Sequence, residues 1–161
     1  MTYPVEAGHN FPLVVLSVII AMVASYTALD LAGRVNATSG LTPLGWLVAG
    51  AMAMGTGIWS MHFVGMLAFR LPVTVDYDYS TVLLSVVPSV IASGIAFFLV
   101  TRATLSRWQL LGGSLCMGAG IVCMHYLGMA AMRTVATMHY VPAMLALSVA
   151  VALAVSFAGL F

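Results

Sequence analysis

The sequence predicts an all-α integral membrane protein, a bundle of five transmembrane helices built from a repeated helix pair. The chain has 161 residues, of which 63 % are hydrophobic and only 6 % are charged, against about 25 % charged residues in an ordinary soluble domain. The apolar residues fall into long runs, and a membrane-spanning helix needs roughly 20 of them. This composition excludes a water-soluble enzyme, and no catalytic constellation is visible in a chain with four acidic residues and no lysine.

The few polar markers divide the chain into helices of about 11–32, 43–69, 80–101, 108–133 and 141–161. Asp30 and Arg34 close the first run, and we expect them to form an ion pair because they lie four residues apart on a helix. None of the runs alternates as the strands of a membrane barrel do, which favours helices. The last run is still apolar at Phe161, so we expect the protein to continue with at least the partner of the fifth helix.

The most informative feature is an internal repeat. Residues 50–70 read GAMAMGTGIWSMHFVGMLAFR and residues 113–133 read GSLCMGAGIVCMHYLGMAAMR, with 11 of 21 positions identical at an offset of 63. Leu-Ser-Val also recurs in the odd-numbered runs, with its serine at Ser17, Ser85 and Ser148. The repeating unit is therefore a pair of helices, present twice in full and begun a third time.

The arginines predict the orientation of the chain. The first and third loops hold three arginines and the second and fourth hold two, so the rule that positive loops stay inside places loops one and three in the cytoplasm. The N-terminus is then outside and residue 161 at the cytoplasmic side. With a formal net charge of +1, we expect the lipid bilayer as a partner and no nucleic acid.

The repeat places two histidines at the same level of the membrane. His62 and His125 each follow a methionine directly and lie near the arginine that ends their helices, which run in the same direction. His9 and His139 precede the first and fifth helices on that same side. Imidazole and thioether ligands together favour copper, especially Cu(I), and polar residues inside spans are functional by default. The predicted metal ligands are His62, Met66, His125, Met129, His139, Met61, Met124, Met138 and His9.

Two sets of small residues in the same helices have a structural interpretation. Gly57 and Gly65, and their repeat equivalents Gly120 and Gly128, are spaced for close approach of helices in lipid, which would bring the two histidine-bearing helices together. The two cysteines, Cys116 and Cys123, have the spacing of neither a disulfide framework nor a CxxC pair. We expect the cysteines to be buried as small apolar residues.

The motifs SMHFVGM (60–66), CMHYLGM (123–129) and TMHYVPAM (137–144), together with SYTALDLAGRV (25–35), resemble the MHYT integral-membrane sensor domain over essentially the whole chain. The fourth motif position is Val64, Leu127 or Val141 instead of threonine. The resemblance implies copper bound near the outer face of the bacterial inner membrane by the Met and His pairs above. It also implies sensing of a diatomic gas (NO, O2 or CO) and covalent linkage to cytoplasmic cyclic-di-GMP cyclase and phosphodiesterase (GGDEF/EAL-type) effectors, with a homodimer as a further option.

Two alternative functions stay open at this point. His62 and His125 could be the axial ligands of a haem in a redox membrane protein. A small transporter could also be built from such repeats, although transporter sites lie near the middle of the bilayer and these histidines lie near one face. In each case the chain itself is predicted not to be an enzyme, and any cyclase or phosphodiesterase activity belongs to the longer protein.

Overall fold

The computed structural model describes residues 8–70, 74–102, 104–133 and 142–160. Helices form most of these residues, and the strands are only two residues long. The helices are α1 (Phe11–Ala37), α2 (Thr42–Ala68), α3 (Tyr79–Leu84), α4 (Val86–Val100), α5 (Arg107–Ala130) and α6 (Pro142–Leu160), and the strands are β1 (Gly8–His9), β2 (Phe69–Arg70), β3 (Asp76–Tyr77) and β4 (Met132–Arg133).

Four segments are long and apolar enough to cross a membrane, namely α1, α2, the stretch that joins α3 and α4, and α5, and α6 is a shorter apolar fifth. The predicted fold class is confirmed. The first helix continues to Ala37, beyond the predicted end near residue 32, and α5 ends at Ala130 because the chain turns there into β4.

The third span is interrupted at Ser85, between α3 and α4. Pro88 explains the break, because proline has no N–H to donate to the carbonyl four residues earlier, which belongs to Leu84. Ser85 itself donates its backbone N–H to the Thr81 carbonyl at 3.0 Å. The two helices therefore form one bent span of residues 79–100.

The spans are arranged as an arc in which each packs mainly against its neighbours in the chain: α1 on α2, α2 on α4, α4 on α5 and α5 on α6. Within each pair a glycine allows the close approach. A Cβ atom at Gly57 would collide with Ala24, and one at Gly120 would collide with Ala92. Small residues at these contacts let helix backbones approach in lipid, where van der Waals packing drives association.

Contacts between successive pairs repeat in the same way. A Cβ at Gly55 would lie 2.5 Å from the Val90 Cα, and one at Gly118 would lie 2.6 Å from the Leu153 Cδ2. Gly57 and Gly120 thus pack α2 and α5 against the spans before them, and the prediction that they join the two histidine-bearing helices is wrong. Of the predicted glycines, Gly128 does face α2, with a Cβ position 3.0 Å from the Phe63 ring.

Short antiparallel ladders close the same end of both pairs. Strand β1 pairs with β2, and β3 pairs with β4. Just beyond them, the Asn10 N–H donates to the Ala68 carbonyl at 2.7 Å and the Asp78 N–H donates to the Ala131 carbonyl at 2.9 Å. These bonds satisfy backbone groups at the helix ends, and they place the ends of α2 and α5 at one face of the bundle.

The surface of the bundle is apolar, as lipid contact requires. Phe11 is 74 % exposed and Tyr26 is 77 % exposed, whereas the interior is made largely of alanine and serine. Both cysteines are exposed on α5, so the expectation that they are buried is wrong. In a membrane protein a small apolar residue can face lipid as readily as the interior, so composition alone does not decide between the two. The predicted ion pair is confirmed, with Arg34 Nε 2.8 Å from Asp30 Oδ2.

Candidate metal-binding site

The two motif histidines meet inside the bundle. The Nδ1 atom of His125 lies 3.2 Å from the Nε2 atom of His62, within hydrogen-bond distance, and the rings are 4.9 Å apart at an interplanar angle of 75°. His62 lies six residues before the end of α2 at Ala68, and His125 lies five before the end of α5 at Ala130. At 1.5 Å per residue, both rings are about 8–9 Å below the helix ends.

A cavity of about 630 Å³ lies beside this pair, between α2, α5 and α6. Apolar side chains form most of its wall, and four residues with polar side-chain atoms line it near the level of the histidines. The lining residues are Ile58, Met61, His62, Met117, Ile121, Val122, Met124, His125, Tyr126, Met144, Leu147, Ser148, Val151, Ala152 and Val155.

Among the methionines, Met61 and Met124 line the cavity with the histidines, and Met124 is almost fully buried at 1 % exposure. Met66 and Met129 are half-buried and are not part of its wall. Two further methionines line the cavity, Met117 and Met144, and the predicted ligand set did not include them. The sequence does indicate Met117 as a neighbour of the site, because it lies eight residues before His125 on the same face of the helix.

The remaining predicted ligands are not brought to the pair. His9 is exposed in β1, and its ring packs edge-on against Phe69 at 5.4 Å, beyond the end of α2. Met138 and His139 lie outside the described residues. Within the part of the chain that the structure describes, no group of three His, Cys, Asp or Glu side chains surrounds a common point.

The two imidazole nitrogens, 3.2 Å apart, lie close enough for one metal ion with metal–nitrogen bonds of about 2.0 Å to be held by both. Met61 and Met124 line the same cavity and could supply thioether ligands. Imidazole with thioether is a donor set for copper. The direct contact between the two rings leaves no space between them for a haem in this arrangement.

Aromatic-to-serine hydrogen bonds fix the spans on either side of the site. Trp59 donates its Nε1–H to Ser85 Oγ at 2.9 Å and to the Val82 carbonyl at 3.2 Å. One repeat later, the Tyr126 hydroxyl lies 2.9 Å from Ser148 Oγ. The two serines are the equivalent residues of the Leu-Ser-Val motif, at the offset of 63. The motif serines therefore serve to join successive helix pairs, a role that the repeat alone did not reveal.

Outside the membrane-spanning segments, Asp78 caps the third span. Its carboxylate accepts hydrogen bonds from the Ser80 hydroxyl and the Thr81 N–H, and it forms an ion pair with Arg133. These interactions, the Ser80 hydroxyl first, lower the pKa of Asp78 from 3.8 to about 2. At the neighbouring Tyr77, burial raises the pKa of the phenol above its usual value.

A multi-pass membrane domain made of repeated helix pairs, with one histidine per pair meeting at one level, is the class of protein that this fold and site define. The chain belongs to the MHYT family, whose profile, described as a bacterial signalling protein N-terminal repeat, matches residues 1–44, 55–113 and 118–161. No solved structure matches the chain.

The relatives that match the chain are longer signalling proteins. The chain is 49 % identical over 155 residues to the bifunctional diguanylate cyclase/cyclic di-GMP phosphodiesterase MucR of Pseudomonas aeruginosa, covering 96 % of this chain and 23 % of MucR. It is 43 % identical over 148 residues to the cyclic di-GMP phosphodiesterase NbdA of the same organism, with 92 % and 19 % covered. The signaling protein YkoW of Bacillus subtilis is 38 % identical over 156 residues, with 97 % and 19 % covered. The chain therefore spans about a fifth of the length of these relatives.

Proposed function

We propose that this module binds copper through His62 and His125 and senses a diatomic gas, NO, O2 or CO, at that site. The contact between the two imidazoles at 3.2 Å carries the proposal. Met61 and Met124 are the thioethers best placed to join them, because both line the same cavity. Met66, Met129, Met138 and His139 stay as ligands proposed from the sequence, and His9, whose ring packs on Phe69, is left out of the proposed set.

Copper at this site would supply an electron-rich centre able to bind a neutral diatomic molecule. The chain's own residues provide the access and the selectivity for such a ligand. The cavity beside the histidines has an apolar wall, which suits an uncharged gas that dissolves in the bilayer. The donor set of imidazole and thioether favours the reduced, soft state of the metal.

A signal requires that the ligand prefer one packing of the helices over another, since a ligand with equal affinity for two states shifts no equilibrium. His62 belongs to the first pair and His125 to the second, so a ligand-dependent change in their separation would move one pair against the other. The proposed receiver is a cyclase or phosphodiesterase module, covalently linked on the cytoplasmic side, in the inner membrane of a bacterium. We propose that the N-terminus is outside, residue 161 is cytoplasmic, and two copies can pair through their exposed apolar helices.

The copper content of the purified protein tests the site. We expect about one copper per chain in the wild type. We expect almost none in the double variant His62→Ala/His125→Ala, because it removes both imidazole ligands and leaves only thioethers at the site. His9→Ala is the matched control, since that ring packs on Phe69 away from the pair, and it should keep its copper. Full copper content in the double variant would show that these histidines are not the ligands.

Gas binding is tested separately on the copper-loaded protein. Carbon monoxide should give a single infrared stretching band that disappears in His62→Ala/His125→Ala and persists in His9→Ala. Absence of the band in wild-type protein that retains copper would refute the gas site while leaving the metal site intact. A strong Soret absorption band in the protein as isolated would favour haem over copper.

A further inference from the structure

The cavity beside the histidine pair is larger than a diatomic ligand needs. Its volume of about 630 Å³ falls within the range of about 300–1,000 Å³ that is typical of sites for small organic molecules. Its wall on the α6 side belongs to a helix whose residues also face outward, with Val151 53 % exposed and Val155 62 % exposed. Within the described residues the cavity is therefore open along α6, where a molecule dissolved in the bilayer can enter.

The wall of the cavity restricts the chemistry of its ligand. None of its lining residues is Asp, Glu, Arg or Lys, so nothing there would neutralise a phospholipid headgroup, a fatty-acid carboxylate or an amine. The hydrogen-bonding side chains are His62, His125, Tyr126 and Ser148, all at one level, and the wall deeper in the membrane is apolar. The cavity thus fits a neutral molecule with hydrogen-bonding groups at one end and an apolar body.

The histidine pair supplies a donor to such a molecule in any state that preserves the contact. One ring must donate to the other across the 3.2 Å between His62 Nε2 and His125 Nδ1, so at least one ring is neutral. If His125 donates, His62 carries its own proton on Nδ1, and if His62 donates, His125 carries its own on Nε2. One N–H beyond the contact therefore always remains for an acceptor.

We propose that this cavity binds a membrane quinone or its quinol. A quinone is neutral, it has carbonyl acceptors on a compact ring, and its tail is apolar. One carbonyl accepts the N–H of the histidine pair, and the ring lies against the apolar wall. The Ser148 hydroxyl donates its proton to the Leu145 carbonyl and bonds to Tyr126, which leaves the histidine N–H as the donor to the headgroup. The tail leaves along Val151 and Val155 into the bilayer.

The equivalent place in the first repeat holds a larger side chain, and it provides the control. There the large side chain of Trp59 occupies the position equivalent to Val122 and bonds to Ser85, which is completely buried. A tryptophan at residue 122 should therefore fill the cavity.

The test is a binding titration of the full chain in lipid nanodiscs after removal of copper with a chelator, with decylubiquinone as the probe and quenching of tryptophan fluorescence as the readout. Decylbenzene, which has a similar tail but no carbonyl and does not quench tryptophan, is added as a competitor. We expect saturable quenching by decylubiquinone that decylbenzene does not reverse, and about fivefold weaker binding in His62→Ala/His125→Ala, the weight of one hydrogen bond. In Val122→Trp binding should be lost, and in Ser156→Ala it should stay unchanged, because Ser156 is not part of the cavity wall and its hydroxyl bonds to the Ala152 carbonyl.

The variant His62→Ala/His125→Ala tests the proposal even if Val122→Trp does not fold. Displacement of decylubiquinone by decylbenzene, or equal affinity of wild type and His62→Ala/His125→Ala, would overturn it. Copper removal keeps this outcome separate from that of the metal site, because quinone binding should persist without the metal.

Discussion

The two interfaces between successive helix pairs are built on the same repeat, yet one holds the bulky Trp59 and the other lines a cavity. Between α2 and the third span, Gly55 meets the backbone of Val90, and Trp59 bonds to the fully buried Ser85. Between α5 and α6, Gly118 meets only the side-chain end and Cα of Leu153, and the cavity opens beside Ser148. A few substitutions within a repeat can thus create a site without changing the fold.

The largest expected difference in stability is between alanine substitutions of the glycines at the two interfaces. In Gly55→Ala the new Cβ would lie 2.5 Å from the Val90 Cα, and backbone cannot move aside as a side chain can. We expect Gly55→Ala to lower the free energy of unfolding by about 1–3 kcal/mol, as overpacking does. Gly118→Ala meets the Leu153 Cδ2 first and should cost clearly less.

Thermal unfolding in detergent measures both variants, with Gly65→Ala as the control, since no heavy atom lies within 4 Å of its Cβ position. Equal losses in Gly55→Ala and Gly118→Ala would contradict the view that the first interface is the tighter one.

Removing the aromatic-to-serine hydrogen bonds should also destabilise the first interface more than the second, by smaller amounts. Trp59→Phe removes two hydrogen bonds, to Ser85 and to the Val82 carbonyl, whereas Tyr126→Phe removes the one to Ser148. Since side-chain hydrogen bonds in membranes contribute about 0.6 kcal/mol each, we expect losses of about 1 and about 0.5 kcal/mol. Unfolding of the double variants Trp59→Phe/Ser85→Ala and Tyr126→Phe/Ser148→Ala gives the coupling in each pair. A larger coupling in the second pair would reverse the comparison.

The smallest effect concerns the caps at the ends of the two pairs. Asn10 and Asp78 occupy equivalent positions next to the ladders, but only Asp78 can titrate. Because its pKa is lowered to about 2 in the folded protein, its contribution to stability is present above about pH 4 and is lost as the pH falls toward 2. Asp78→Asn should remove this part of the acid dependence, and Ser80→Ala should weaken it, since the Ser80 hydroxyl is the largest cause of the shift.

Melting temperatures between pH 2 and pH 5 check this prediction. An acid dependence that is the same in the wild type and in Asp78→Asn would show that the cap does not act through its charge. The effect is modest because the carboxylate is at the surface, where ion pairs such as that with Arg133 contribute little.

Much of the fold could be predicted because the physical signals were local. Apolar runs gave the spans, and the repeat placed His62 and His125 at one level. The packing was harder to predict, since a glycine is compatible with approach from several sides. Only the three-dimensional arrangement shows Gly57 facing Ala24 and not the other histidine-bearing helix.

The candidate site was predictable in its histidines and less so in its methionines. The spacing of four residues from a histidine selected Met66 and Met129, but side chains four residues apart on a helix also diverge around its curved surface. Besides Met61 and Met124, the cavity is lined by Met117 and by Met144 from another helix. The role of Trp59 was missed as well, because its partner Ser85 is 26 residues away and the bend at Pro88 positions it.

X-ray absorption at the copper edge tests the central proposal most directly, that both imidazoles bind one metal. For the copper-loaded wild type we predict scattering from two imidazole rings and at least one sulfur, and from a single ring in His125→Ala that retains partial copper. A spectrum without imidazole scattering, or one that His125→Ala leaves unchanged, would contradict the proposal that the His62–His125 pair is the metal site.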